Sequence, residues 1–247
     1  MSSGELWSGG RYELVAPRFA EIHDALVGIL EPRAGERWLD VATGTGEVAL
    51  RAARAGADVT GLDIAPRLLE QARSRSTEID WVEGDAQALP FADGAFDVVS
   101  SCFGLIFAPD QEAAAAELAR VCRRRLGVTA WRPNEGLHAI YAAFSGEQSA
   151  SPSSEDWGRE ERIEELLGDS FELEVEEQVW WLEGESPADV FELMTNGAPP
   201  LKALIDSLEP DRVAAFRAAM LEHWSQFQTP EGVRESRRYL LALGRRR

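Results

Sequence analysis

Apolar residues recur along the first half of the chain in two alternating rhythms. Residues 16–30, APRFAEIHDALVGIL, carry apolar side chains at helical spacing, and Pro32 follows to stop the helix. Short apolar runs then alternate with helical stretches. The runs predict strands over Arg37–Val41, Asp58–Ile64, Ile79–Val82, Ala95–Cys102 and Leu126–Trp131. Between them the pattern predicts a helix over Glu47–Ala55, stopped by Gly56, and a second that begins at Pro66 and runs through PRLLEQARSRS. An Ala-rich helix over Asp110–Cys122 follows, with Asp110 as its N-cap. Strands such as FDVVS and LGVTA are almost wholly apolar or small, which suits a sheet covered on both faces. Strands alternating with helices of this length imply a parallel sheet with helices on both sides.

The rhythm changes after Trp131. Residues 145–158, SGEQSASPSSEDWG, are rich in Ser and read as an exposed loop or mobile lid. From Glu155 to Glu177 there are eleven acids and two arginines, the signature of a solvated acidic face. Phe171–Leu182 begins with strand alternation. Helical patterns cover Pro187–Leu208 and Pro210–Phe227, and SRRYLLALGRR reads as a closing strand. The chain shows no internal repeat.

The first strand runs into a distinctive turn, WLDVATGTGEVAL over residues 38–50. Gly44 and Gly46 allow left-handed backbone and a close approach of ligand to main chain. A dinucleotide site wants G-x-G-x-x-G, and Glu47 stands where the third glycine belongs. An acid there repels a pyrophosphate. Asp40, just before the turn, suits a cationic ligand such as S-adenosylmethionine, which has a sulfonium, an ammonium and no phosphate. Asp63 ends the second strand, where a carboxylate can accept from both hydroxyls of a ribose.

The turn resembles motif I of the class I S-adenosylmethionine-dependent methyltransferases. GLDIAPRLLEQAR is similar to their second-strand motif, and WVEGDAQALPFADGAFDVVSSCFGL to their third-to-fourth-strand segment. The nearest flavour is the branch of the ubiquinone and menaquinone biosynthesis methyltransferases. The resemblance implies a Rossmann-like, mostly parallel seven-stranded α/β sheet with helices on both faces. It implies an N-terminal helical lid over residues 1–34, a cofactor-binding core over 35–131, and a substrate-side half over 132–247. That half carries a helical insertion at about 187–228 before the last strand, all within one domain. By position, Asp40 would contact the methionine end, mostly through water or backbone, and the backbone of Ala42, Gly44 and Gly46 would line the cofactor. Asp63 would hold the ribose, Ile64 would pack on the adenine, and Asp85 and Ala86 would bond its polar edge. Ser101 and Cys102 would sit near the transferred methyl. Two features depart from the family: Ala42 stands at the first motif glycine, and VCRRRLGVTAW lacks the usual Pro-Gly-Gly turn, leaving a very short connection over 122–127.

Composition narrows the reading. The 247 residues carry a net charge of −18, a balance that disfavours nucleic acid and anionic membrane surfaces as partners. Cys102 and Cys122 form no CxxC pair and read as reduced thiols of a cytoplasmic protein. No apolar run reaches the ~20 residues of a bilayer span, and the N-terminus has no signal-peptide pattern. His23, His138 and His223 have no metal-ligand spacing, so no metal site is expected. His138, just beyond the fifth strand, is the candidate general base, against a surface role. Trp7, Arg11 and Tyr12 belong to the lid, where Tyr12 either touches the methionine carboxylate region or packs the lid. Trp180, Trp181, Phe191 and Met194 read first as core and second as an apolar substrate wall. The expected function is methyl transfer from S-adenosylmethionine to a small-molecule O, N or C acceptor, by proximity and orientation. The alternatives are an NAD-dependent oxidoreductase and a non-catalytic member of the fold.

Overall fold

The computed structural model describes residues 3–145 and 156–247. The chain opens with helix α1 (Ser3–Ser8), two 3-10 turns (Tyr12–Leu14, Ala16–Phe19) and α2 (Ala20–Leu30). Strands and helices then alternate: β1 (Arg37–Val41), α3 (Glu47–Arg54), β2 (Asp58–Asp63), α4 (Pro66–Arg75), β3 (Asp80–Glu83) and β4 (Phe96–Cys102). After a 3-10 turn at Leu105–Phe107 come α5 (Gln111–Val121), β5 (Cys122–Trp131), α6 (Glu135–Ser145), a 3-10 turn at Asp156–Gly158, and α7 (Glu160–Leu167). The rest is β6 (Phe171–Gly184), α8 (Pro187–Gly197), α9 (Pro199–Asp206), α10 (Pro210–Ser225), β7 (Gln228–Thr229) and β8 (Gly232–Arg246).

The strands form one sheet in the order β3-β2-β1-β4-β5-β8-β6, with the two-residue β7 paired to β8 as an eighth strand. β1 to β5 pair in parallel, and β8 inserts antiparallel between β5 and β6. This is the mostly parallel Rossmann-like α/β sheet that the alternation predicts. Apolar side chains of β1 and β4, Trp38, Leu39, Val98 and Val99, are fully buried, because helices cover both faces. Strand order reverses between β1 and β4, so the crevice for a ligand lies at the carboxyl ends of these strands. Among the described residues no helix is long and apolar enough to cross a membrane.

The short connection over 122–127 resolves without a loop. α5 ends at Val121 and β5 begins at the next residue, so the strand starts earlier than its apolar run suggests. Pairing steps from Phe96↔Cys122 to Val98↔Arg125, which puts one extra residue on β5 as a bulge. The arginines of CRRRL are then fixed from outside. Arg125 donates to Glu36 at 2.6 Å and to the Leu30 carbonyl at 3.0 Å, tying α2 to the start of β5. Arg123 pairs with Asp97.

Three further expectations change. Glu135–Ser145 is a helix that the chain pattern did not announce. The helical stretch from Pro187 to Leu208 is two helices, because Pro199 and Pro200 lack donors and Ala198 before them is extended. The expected loop over 145–158 falls largely outside the described residues, and at its far end Trp157 and Gly158 are buried rather than exposed. Asp110 behaves as expected: it caps α5 by accepting from the Ala113 N–H at 2.9 Å. Asp110→Ala is expected to cost about 1 kcal/mol, a fall in Tm of about 2–4 °C in a chain of this size, read by thermal unfolding.

Candidate active site

At the carboxyl ends of β1, β2 and β4 the chain encloses a cavity of about 1700 Å³. Single-ligand sites run to about 300–1,000 Å³, so this one has room for two molecules side by side. Its floor at one end is the turn after β1. Ala42 and Gly44 both take left-handed backbone, at φ 55° and 57°, which turns the main chain toward the opening. For Ala42 this is strained, as isolated non-glycine residues in that region are. Gly46 caps α3 at φ 85°, and a Cβ there would meet the Trp81 ring at 2.5 Å. Gly46 therefore shapes the loop from behind and does not line the cavity.

Asp63, at the end of β2, is buried and lines the cavity. Its Oδ2 accepts from the Gly44 N–H at 2.7 Å and its Oδ1 from the Ala65 N–H at 2.9 Å. Burial raises its pKa, opposed by those backbone donors. The carboxylate is thus oriented before any ligand arrives, and each oxygen keeps a lone pair. Ile64 and Ala86 line the same end. Asp85 lines it too; both its oxygens accept from the Gln87 side-chain amide at 3.0 Å.

Asp40 lies behind the wall. Thr43 Oγ1 donates to its Oδ2 at 2.6 Å and Ser100 Oγ to its Oδ1 at 2.7 Å, while Trp38 Nε1 donates to Ser100 at 2.8 Å. Burial pushes its pKa up to about 6, against those hydrogen bonds. Glu47 also differs from expectation. It turns to Arg51 and Arg75, which hold its carboxyl below the usual range against its burial, and it does not line the cavity. Its charge reaches the cavity only at a distance, where it acts on the Tyr12 hydroxyl.

At the end of β4, Cys102 lines the cavity and Ser101 does not. The Ser101 hydroxyl is buried and has no hydrogen-bond partner among the described residues. Burial pushes the Cys102 thiol up to about 12, so it stays protonated and inert as a nucleophile. Next to it Phe103 adopts φ 56° and stacks flat on Trp131, ring centroids 3.9 Å apart.

The N-terminal segment borders this end. Trp7 and Tyr12 line the cavity, and Tyr12 reaches over Gly44. Arg67 donates to the carbonyls of Ser8 and Gly10 at 3.0 and 2.8 Å, which fixes the segment between α1 and the first turn. Arg11 is exposed and uses its backbone N–H on Asn196 at 2.8 Å. The other end combines an apolar wall with charged groups, Arg132, Arg159, Glu160, Arg237 and Arg238 among them. Leu137 and Tyr141 of α6, Trp180 of β6 and Met194 of α8 line it. Trp180 and Met194 are thus wall residues, Phe191 is core, and Trp181 is 42% exposed beneath Arg234. His138 is exposed on α6 at the cavity edge. His23 lies on the buried face of α2, with its pKa lowered to about 4 by desolvation, and does not line the cavity. Neither α6 nor Arg237 on β8, which also lines the cavity, was anticipated. The apolar spacing Leu137, Ile140, Tyr141, Phe144 was the available sign of the helix.

Residues 39–125 match a family model described as a methyltransferase domain. The uncharacterized protein Rv1405c of Mycobacterium tuberculosis is 41% identical over 176 residues, covering 66% of this chain and 64% of that protein. The chain thus matches less than two thirds of that relative's length. The ubiquinone/menaquinone biosynthesis C-methyltransferase UbiE of a Ruegeria species is 40% identical over 134 residues, 49% of this chain and 54% of that enzyme. In fold, the chain is similar to phosphoethanolamine N-methyltransferase 2 of Haemonchus contortus, solved with phosphomonomethylethanolamine and S-adenosylhomocysteine. The TM-score is 0.59 at 16% identity, covering 92% of this chain and 52% of that one.

Proposed function

We infer that this chain, a class I S-adenosylmethionine-dependent methyltransferase by domain and fold, transfers a methyl group to a small-molecule O, N or C acceptor. The observation that carries the reading is the two-ended cavity. One end has an oriented buried carboxylate beside a left-handed glycine turn; the other has aromatic and aliphatic walls and room for a second molecule. The donor set fits the cofactor: Asp63 and Asp40 supply negative charge to a sulfonium and ammonium, and among the described residues the cavity end beside Gly44 presents no cation to a diphosphate.

When bound, S-adenosylmethionine supplies an already activated methyl group, so the chain needs no nucleophile of its own. Asp63 would accept from the ribose hydroxyls through its free lone pairs. Ile64 would pack on the adenine, and the Ala86 N–H would face its edge. Asp85, which already accepts from an amide NH2, would accept from the adenine amino group in its place. Ala42 and Gly44 would present backbone to the methionine portion, with Asp40 and Gly46 holding the loop from behind. Tyr12 and Trp7 would exclude water, and Cys102 and Ser101 would mark the end of β4 where the acceptor meets the methyl. Orientation of this kind supplies most of the rate in a direct displacement. His138 is placed to take a proton where the acceptor must lose one. A small-molecule acceptor in a cytoplasmic setting agrees with the −18 charge and the free thiols.

The test is direct. Purified protein is titrated with S-adenosylmethionine and, separately, NADH, then incubated with methyl-labelled S-adenosylmethionine and a small-molecule library. Micromolar binding of the first ligand, none of the second, and label on an acceptor are expected. NADH binding in its place would make the chain an oxidoreductase; cofactor binding without any label transfer would leave it a non-catalytic member of the fold.

A further inference from the structure

One strand face carries side chains that the proposed cofactor site leaves unused. Along β8, Val233, Glu235, Arg237 and Tyr239 alternate onto one side of the sheet. The register sets Trp131 opposite Tyr239, Trp180 opposite Arg237 and Leu182 opposite Glu235, and directly opposed residues share a face. Trp180 and Tyr239 stand 5.8 and 6.1 Å from Trp131, which is stacked on Phe103. The result is an aromatic wall with one guanidinium set in it.

That guanidinium is held from behind. The Arg237 side chain is 19% exposed, and its Nε lies 2.9 Å from Oε2 of Glu235, which is 1% exposed. Glu235 also meets His223 Nε2 at 3.0 Å and accepts from Trp224 Nε1 at 3.1 Å and Asn134 Nδ2 at 3.4 Å. That carboxylate is held by three hydrogen-bond partners and pairs with the arginine by charge, since the buried Arg237 Nε has no hydrogen-bond partner among the described residues. Arg237 lines the cavity and Glu235 does not. Among the described residues Glu235 is the guanidinium's ion-pair partner. Arg132, Arg159 and Arg238 also line the cavity, but their side chains are 34, 57 and 66% exposed and pair with half-buried acids, Arg132 Nε with Glu177 at 3.0 Å, Arg159 Nη1 with Asp156 at 2.8 Å and Arg238 Nη1 with the same Glu177 at 3.5 Å, whereas the acid behind Arg237 is fully buried.

We propose that Arg237 is a specificity-determining residue that binds the carboxylate of a small planar aromatic acid, whose ring packs among Phe103, Trp131 and Trp180. This rests on the methyl-transfer reading above and names its acceptor class. Burying such a network in an apolar wall stabilises the fold little compared with hydrophobic residues of the same volume, so a ligand is the better account of it. A planar fork matches a carboxylate through two parallel hydrogen bonds, and the surrounding aromatic faces fit a flat ring. Tyr239 stands two residues along β8, ~7 Å away, and packs on Phe103 beside Cys102. That span is roughly one substituted ring, which would carry the acceptor atom to the proposed methyl end.

The test uses the full chain saturated with S-adenosylhomocysteine and three matched pairs: 4-hydroxybenzoate and 4-hydroxybenzamide, benzoate and benzamide, 1-naphthoate and 1-naphthamide. Isothermal titration is expected to show at least one acid binding about tenfold or more tighter than its amide. Arg237→Gln is expected to erase that preference and leave S-adenosylhomocysteine binding unchanged; Arg237→Lys is expected to keep only part of it. Acids that bind no better than amides, acids that do not bind at all, or a preference that survives in Arg237→Gln would overturn the proposal. Should that variant not fold, the acid–amide comparison on the unmodified protein decides. Failure of S-adenosylhomocysteine itself to bind would sink the methyl-transfer reading instead, and the same pairs titrated without cofactor then decide the role of Arg237.

Discussion

Asp63→Ala is expected to weaken S-adenosylmethionine binding by about a hundredfold or more. The Asp63 carboxylate already accepts from the N–H groups of Gly44 and Ala65, at 2.7 and 2.9 Å, and its remaining lone pairs face the cavity. Two ribose hydroxyls bonded to an ionised acceptor contribute about 1.5–3 kcal/mol each, and about 2.8 kcal/mol is a hundredfold in Kd. The substitution has a second consequence. It leaves the Gly44 and Ala65 N–H groups without acceptors, which costs about 1–3 kcal/mol for each one that stays buried. Binding loss and local unfolding must therefore be separated. Calorimetric titration with S-adenosylhomocysteine measures the first, and thermal unfolding of the ligand-free variant measures the second. A variant that still melts cooperatively and binds within tenfold of the unmodified protein would show that the ribose lies elsewhere.

Asp63 was legible because strand length and turn chemistry fix it. A run of apolar residues that ends in an acid at the edge of a parallel sheet can only deliver that acid to the crevice. The order β1, glycine turn, α3, β2 is equally local, and each element falls within a residue or two of its expected bounds. What could not be read depends on contacts distant in sequence. Asp40 looks like a ligand group from its position, yet its second hydroxyl partner, Ser100, lies sixty residues on in β4. Glu47 looks like a charge at the helix entrance until Arg75, on the next helix, turns it aside. Arg237 sits in an ordinary basic closing strand. Its meaning comes from the register with β5 and β6 and from Glu235, which is buried only because α10 supplies His223 and Trp224. The bulge at the start of β5 is likewise a tertiary solution: three consecutive arginines have no strand signal of their own, and Glu36 and Asp97 pull two of them into place.

Asp40 carries a large effect of pH near the proposed site. In the folded chain burial raises its pKa to about 6, from an ordinary value near 4 in the unfolded chain. Between those values the folded state binds more protons than the unfolded one, so this group's contribution to stability falls as pH rises from 4 through 6 and stays lost above that. The difference amounts to about 3 kcal/mol at pH 7, the free energy of holding a buried carboxylate ionised. Asparagine keeps the size of the side chain and can meet Thr43 and Ser100, whose hydroxyls both donate and accept. Relative to the unmodified protein, Asp40→Asn is therefore expected to gain about 2 kcal/mol of stability on going from pH 4 to pH 7, measured by denaturant unfolding at both. A difference that does not move with pH would mean that Asp40 is ionised throughout that range. Nearby Asp63 adds to the strain, since its negative charge also disfavours ionisation of Asp40. Two buried acids close together at the ends of β1 and β2 weaken the fold near neutral pH, and a cationic ligand would relieve them. On that account Asp40→Asn gains stability without ligand and loses part of the stabilisation that S-adenosylmethionine adds, although its side chain does not line the cavity.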